Sequence, residues 1–186
     1  LDMYKTVNDN QLKYIPRDAI AIANVGVNGP VIANFVKDVF NNDMLDQFAS
    51  NLDMSKNDFS SFLMIFCDAI SSINGDVTMA LNSLDIYTKE VYDWYYDEYY
   101  DETVVAADAL VMADVTNSYI MDNLSMIPDL KRSANGRGYY MNIDNDKINI
   151  GQLDNTLYLG WNVSCDKPLT NSIESKWAGE FDNSIA

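Results

Sequence analysis

Residues 85–102 read DIYTKEVYDWYYDEYYDE, and the way this stretch is wound decides the fold. It gathers six of the chain's twelve tyrosines, one tryptophan and seven carboxylates around a single lysine, Lys89. At about 3.6 residues per helical turn it sorts into two neighbouring stripes. Tyr92, Tyr95, Tyr96, Tyr99 and Tyr100 fall on one broad arc, and Glu90, Asp93, Asp97 and Asp101 on the adjacent one. Like charges four residues apart cost a helix roughly 0.2–0.5 kcal/mol per pair. A chain that accepts this cost is expected to present the stripe to something. The plainer alternatives are phenol rings packed in a core and carboxylates on a solvated face.

The reading is therefore one long acidic-aromatic helix, with Tyr92, Asp93, Tyr96, Asp97, Tyr99, Tyr100 and Asp101 as interaction residues. Tyrosine suits that role because it offers a large area and a hydrogen-bonding tip at small entropic cost. From Asp85 the helical pattern runs to Met126, where Pro128 ends it, with Thr103 as a kink or a second N-cap.

Upstream, Val77 to Leu84 reads as a shorter helix. Ser55 to Ile73 reads as an amphipathic one, opened by Ser55 and Asp58 in a capping box with Asp in place of Glu and stopped by Asn74-Gly75. Val31, Ile32, Phe35, Val36, Val39 and Phe40 recur at helical spacing after Pro30, a proline placed where a first turn tolerates it. Asp18 to Val25 fits a short helix or a buried strand equally well.

After Pro128 the texture changes. Tyr139–Ile143, Lys147–Ile150 and Thr156–Trp161 are short runs separated by turn residues, which predicts a three-stranded antiparallel meander. From Asp166 the chain is polar and irregular. Trp177 and Phe181 are its only large apolar groups, and the expectation is that they anchor this tail on a neighbour. The fold expected is thus α+β, mostly α: a helical N-terminal two-thirds of about five helices, one of them long and acidic-aromatic, then the meander, then an irregular C-terminal tail. Residues 1–130 form the acidic helical region, 131–165 the meander packed on it in the same domain, and 166–186 the tail.

Net charge is −16, and its distribution is uneven. Residues 1–130 carry 21 acids and 6 bases, whereas 131–186 carry 7 acids and 6 bases. Such a surface repels phosphate backbones and anionic lipid and attracts basic proteins. The only basic cluster, Lys131-Arg132 to Arg137, reads as a connector into the meander, or as a patch that pairs with the acidic stripe of this subunit or the next.

The chain contains no histidine, which removes the commonest general base and most imidazole-built metal sites. No Gly-rich phosphate loop occurs. Asp144-Asn145-Asp146 resembles the opening of a calcium loop, but Asn149 stands where glycine is needed and Asn155 where glutamate is needed, so a hairpin turn is expected. The carboxylate stripe offers poor coordination geometry for Mg²⁺ or Ca²⁺. Cys67 and Cys165 have no metal-type spacing; Cys67 reads as a small core residue, and a disulfide between the two stays open. No catalytic residue, metal or cofactor is assigned.

The opening LDMYKTVNDN has no basic segment leading into an apolar one, and the apolar run Phe62–Cys67 is far too short to cross a bilayer. A soluble protein of the cytoplasm or a virion is expected. The function expected is that of a non-enzymatic structural or interaction protein: a subunit of a larger assembly, in a viral particle for example. It would make contact through the acidic helix and the docked tail. Its partner would be a protein with a basic surface, a second copy among the options, and neither nucleic acid nor membrane. The alternative is an acidic nucleic-acid mimic of the anti-restriction or anti-CRISPR kind, since carboxylates four residues apart on a helix rise by about 6 Å. An enzyme built on carboxylates alone is a third class, but no acid–base pair stands out.

Overall fold

The computed structural model describes residues 2–40, 42–134, 136–144, 146–164 and 167–174. Its centre is one eight-stranded sheet, antiparallel at every junction. In chain order the strands are β1 (Tyr4–Lys5), β2 (Ala21–Asn28), β3 (Ile73–Asp93), β4 (Glu98–Val115), β5 (Lys131–Arg132), β6 (Gly138–Ile143), β7 (Asp146–Leu153) and β8 (Thr156–Trp161). Across the sheet the order is β1-β2-β3-β4-β8-β7-β6-β5. The helices are α1 (Gly29–Val39), α2 (Asn42–Asn51), α3 (Lys56–Ser72) and the short α4 (Tyr119–Leu124), with a 3-10 turn at Leu12–Tyr14.

This overturns the expected fold class. With 44% strand and 28% helix, the chain is mainly β, and its N-terminal two-thirds is not helical throughout. The helices expected over 77–84 and 85–126 are strands β3 and β4 and the turn between them, followed by α4 alone. Of Asp18 to Val25, open between helix and strand, residues 21–25 are strand, and that strand, β2, runs on to Asn28. Intrinsic preference explains the reversal. Ile86, Thr88, Val91 and Tyr92 on one side, and Tyr99, Tyr100, Thr103, Val104 and Val105 on the other, are β-branched or aromatic residues that pay for a helix in χ1 freedom and fit a pleated surface. The three C-terminal strands do pair in sequence, β6 with β7 and β7 with β8, but as one flank of the larger sheet.

Two helices form where apolar spacing and caps agree. Ser55 Oγ accepts from the Asp58 amide at 3.1 Å and donates to its carboxylate at 2.6 Å, closing the N-terminus of α3. Pro30 sits in the first turn of α1. Helix α2 was not legible in the sequence. The three helices are an excursion between β2 and β3, whose facing ends Asn28 and Asn74 are paired. Helix α1 is drawn onto the end of α3 at Gly29, where an added Cβ would lie about 2 Å from the carbonyl oxygens of Ile70 and Ile73. The aromatic rings of Phe40, Phe48, Phe59, Phe62 and Phe66 chain along this lobe with centroids 5.2–6.4 Å apart. Cys67 is buried and free, and burial pushes its thiol pKa up; Cys165 lies outside the described residues.

The core lies on one face of the sheet. Ala80, Leu110, Met112 and Tyr158 are covered there by Leu12, Tyr14, Ile15 and Ile173. The cover is two chain segments laid side by side: Ile173 N donates to Ile15 O at 2.9 Å and Leu169 N to Lys13 O at 2.9 Å. The described start of the expected tail therefore folds back on its own chain. Trp177 and Phe181 lie outside the described residues.

Candidate interaction surface

Strands β3 and β4 are much longer than their neighbours, and everything distinctive follows from that. Strand β2 pairs with β3 only as far as Leu81, and β8 pairs with β4 only from Ala109. Beyond those positions Ser83–Asp93 and Glu98–Asp108 pair with no other strand, and the Asn162 side chain reaches their foot by donating to Ala107 O at 3.3 Å. A β-bulge at Asn82 marks the departure, since Leu81 faces Ala109 and Ser83 faces Asp108 with Asn82 left over. The result is a two-stranded arm, eleven residues per strand and about 36 Å long at ~3.3 Å per residue. The helices hang from the start of β3 and the arm extends from its far end, so the two occupy opposite ends of the sheet.

The turn is built by its aspartates. Asp93 Oδ1 accepts the amides of Tyr95 at 2.8 Å and Tyr96 at 3.3 Å, an Asx turn that holds the first bend. Asp97 takes the left-handed conformation (φ 55°) that closes it, a setting aspartate tolerates better than most residues. Tyr92 Oη donates to Asp97, and that bond raises the Tyr92 pKa. Tyr92 faces Tyr99 across the ladder with ring centroids 5.0 Å apart, and Trp94 stands edge-on to Tyr92 at 5.7 Å. Below the turn, Lys89 reaches Glu102 at 3.0 Å, and this pairing raises the lysine pKa.

The register sorts the arm's side chains into two faces. The face continuous with the core side carries Asp85, Tyr87, Lys89, Val91, Tyr100 and Glu102. The opposite face carries Leu84, Ile86 and Val105, then Thr88 and Thr103, then Glu90 against Asp101, then Tyr92 against Tyr99. Its apolar part continues onto the uncovered side of the sheet through Met79, Val111 and Leu159, which are in register. Ile86 is 62% exposed, Met79 53% and the tip residue Trp94 90%. In other proteins, large contiguous apolar strips on an exposed face are often places of contact.

All seven interaction residues expected between Tyr92 and Asp101 lie on the arm, but the stripes assigned to them do not exist. Asp93 and Asp97 belong to the turn, whereas Asp101 faces Glu90 from the next strand. Tyr92 and Tyr99 meet; Tyr100 points to the other face with Val91, and Tyr96 packs on Tyr95 at the tip. The sequence reading missed Leu84, Ile86, Val105 and Met79. Their signal was period-two alternation on both sides of an Asp-bounded aromatic turn.

At the foot of the arm an open cleft of about 730 Å³ separates Tyr87, Glu102 and Val104 from Asp144, Asp146 and Asn162. Asp144 (φ 52°) sits in the turn joining β6 to β7, as expected of a hairpin. Among the described residues no group of three or more His, Cys, Asp or Glu side chains is placed to hold a metal, and no helix is long and apolar enough to cross a membrane.

No protein family, curated protein or solved structure matches this chain. The comparisons thus lend nothing to the viral setting or the structural class expected from composition.

Proposed function

We propose that the protein is a non-enzymatic component of a larger assembly and makes its contacts through the β3–β4 arm. One observation carries the reading: the arm's side chains are exposed on both faces from residue 83 to 90 and from 98 to 103, with an apolar strip running from its middle onto the sheet. A two-stranded ribbon alone in water is marginally stable, and its outer edges present rows of unpaired backbone groups that natural proteins usually cover. Eight acids against one lysine between Ser83 and Asp108 give the arm a charge of −7, which favours a basic partner surface and fast, salt-sensitive association. Imitation of nucleic acid keeps that charge as its support but loses the regular helical carboxylate spacing on which it stood.

The test is an arm-less chain in which residues 84–107 are replaced by Asn-Gly, a dipeptide suited to a tight hairpin turn. Native mass is measured against concentration by sedimentation, alone and with a lysine-rich polypeptide, and melting is followed alongside. The full chain should associate with itself or with the polypeptide. The arm-less chain should do neither, yet melt cooperatively. An arm-less chain that associates as the full chain does overturns the reading.

A further inference from the structure

The arm's partner can be narrowed from the chain's own charge distribution. Residues 131–143 hold Lys131, Arg132 and Arg137 and not one acid, the only such stretch in a chain of net charge −16. In the fold this stretch becomes an edge of the sheet. Strand β5 is two residues long and leaves Met141, Asn142 and Ile143 of β6 without a neighbour on that side. Lys131 faces Tyr140 across the β5–β6 ladder, and Lys147 of β7 lies over the same ring, its ammonium 4.7 Å from the centroid. The register of β6 with β7 puts Lys131, Tyr140 and Lys147 on one face, with Arg132 turned to the other. Lys131, Arg132 and Lys147 are exposed and have no ion-pair partner among the described residues. Beside them opens a cleft of about 470 Å³, lined by Ser133, Gly138, Lys147, Asn149 and Asn162.

Resting on the assembly reading above, we propose that the occupant of this edge is the acidic arm of a second copy of the chain. The arm brings acids at Glu98, Asp101 and Glu102 to a stretch, 131–143, that has none of its own, together with an open strand edge and exposed rings at Trp94 and Tyr95. Within one molecule no ion pair joins the arm's acids to Lys131, Arg132 or Lys147 among the described residues, although Glu102 shares the cleft at the arm's foot with Asp146 and Asn162. The arm tip lies about 36 Å beyond the sheet along the strands, whereas the β5–β6 edge lies four strands to the side, about 19 Å across at ~4.8 Å per strand. Because arm and edge are different surfaces, the contact is heterologous. Each copy gives one arm and receives another, which builds a ring or an open filament rather than a closed pair. Strand-to-strand addition supplies main-chain bonds, and the opposite charges set direction and register.

The experiment uses two variants of the full chain. One neutralises the arm (Glu98→Gln, Asp101→Asn, Glu102→Gln). The other neutralises the edge (Lys131→Gln, Arg132→Gln, Lys147→Gln). Sedimentation is run with the wild type, each variant, and an equimolar mixture of the two, at low and high salt. The wild type should grow beyond a dimer with concentration and fall apart as salt rises. Each variant alone should associate about tenfold more weakly or less, with melting unchanged. The mixture should stop at a dimer, because only one intact arm and one intact edge remain between two chains. A wild type that stays monomeric overturns the proposal. So does a dimer insensitive to salt and to both variants; that result would put the contact on the apolar strip and leave the assembly reading standing. Loss of association on arm deletion combined with normal association of the edge variant would also keep that reading and discard the second copy's edge as the partner.

Discussion

The two halves of the β3–β4 hairpin belong to the same pair of strands, joined by the same ladder, and end in opposite circumstances. From Val77 to Leu81 and from Ala109 to Val115 the hairpin is flanked by β2 and β8 and covered by the segments around Ile15 and Ile173. From Ser83 to Asp108 it has no flanking strand, and most of its side chains are exposed. Residue type does not separate them cleanly, since Leu84, Ile86 and Val105 on the arm are as apolar as Leu110 and Met112 in the body. Neighbours separate them. Burial is a property of what packs against a side chain, so a Leu is buried core in one half and half-exposed in the other.

The largest expected effect sharpens this contrast directly. Leu110→Ala, at a side chain 1% exposed, should cost about 2–5 kcal/mol in urea unfolding. Ile86→Ala on the arm should stay within about 0.5 kcal/mol. Similar losses at both positions would mean that the arm is covered in the monomer. Hydrogen exchange should divide at the bulge: ladder amides between Val77 and Leu81 should open only with global unfolding. Those between Ser83 and Asp93 should exchange orders of magnitude faster by local opening. Uniform protection along β3 would erase the distinction.

A subtler contrast lies in ionisation. Asp76, in the covered half, is fully buried. It accepts from the Asn8 amide at 2.9 Å, while Asp76 N donates to Asp114 Oδ2 at 3.1 Å. Burial raises its pKa above the usual carboxylate range, more than the bonds from Asn8 and Asn24 lower it, and the Asp114 charge adds to the rise. With the folded pKa above the unfolded one, stability from this group is fully present below about pH 3.9. It is lost as pH rises through the folded value. Asp76→Asn should therefore flatten the acid-side profile of unfolding free energy, and an unchanged slope would assign that slope to other groups. The smallest effect belongs to the arm itself. Glu90 and Asp101 face each other as like charges, and Asp101→Lys should stabilise the ladder there by roughly 0.2–1 kcal/mol, read as slower exchange of arm amides. No slowing would show that solvent already screens the pair.

Part of this molecule was written locally. The Ser55–Asp58 cap, Pro30 in the first turn of α1, and the short strands after Gly138 depend on contacts within a few residues, and the sequence by itself determined them. It also determined that residues 85–102 are a charged aromatic surface, and that acid and base are segregated along the chain. The conformation of that surface was beyond its reach. Tyr, Val and Asp at 92–105 satisfy a helical arc and a pleated alternation alike, and only the cross-strand partners, such as Tyr92 with Tyr99 and Ile86 with Val105, choose between them. Which apolar residues became core was equally a tertiary decision. Met112 is buried because Leu12 and Ile15 return to cover that face of the sheet, and Ile86 is exposed because β2 and β8 end before they reach it.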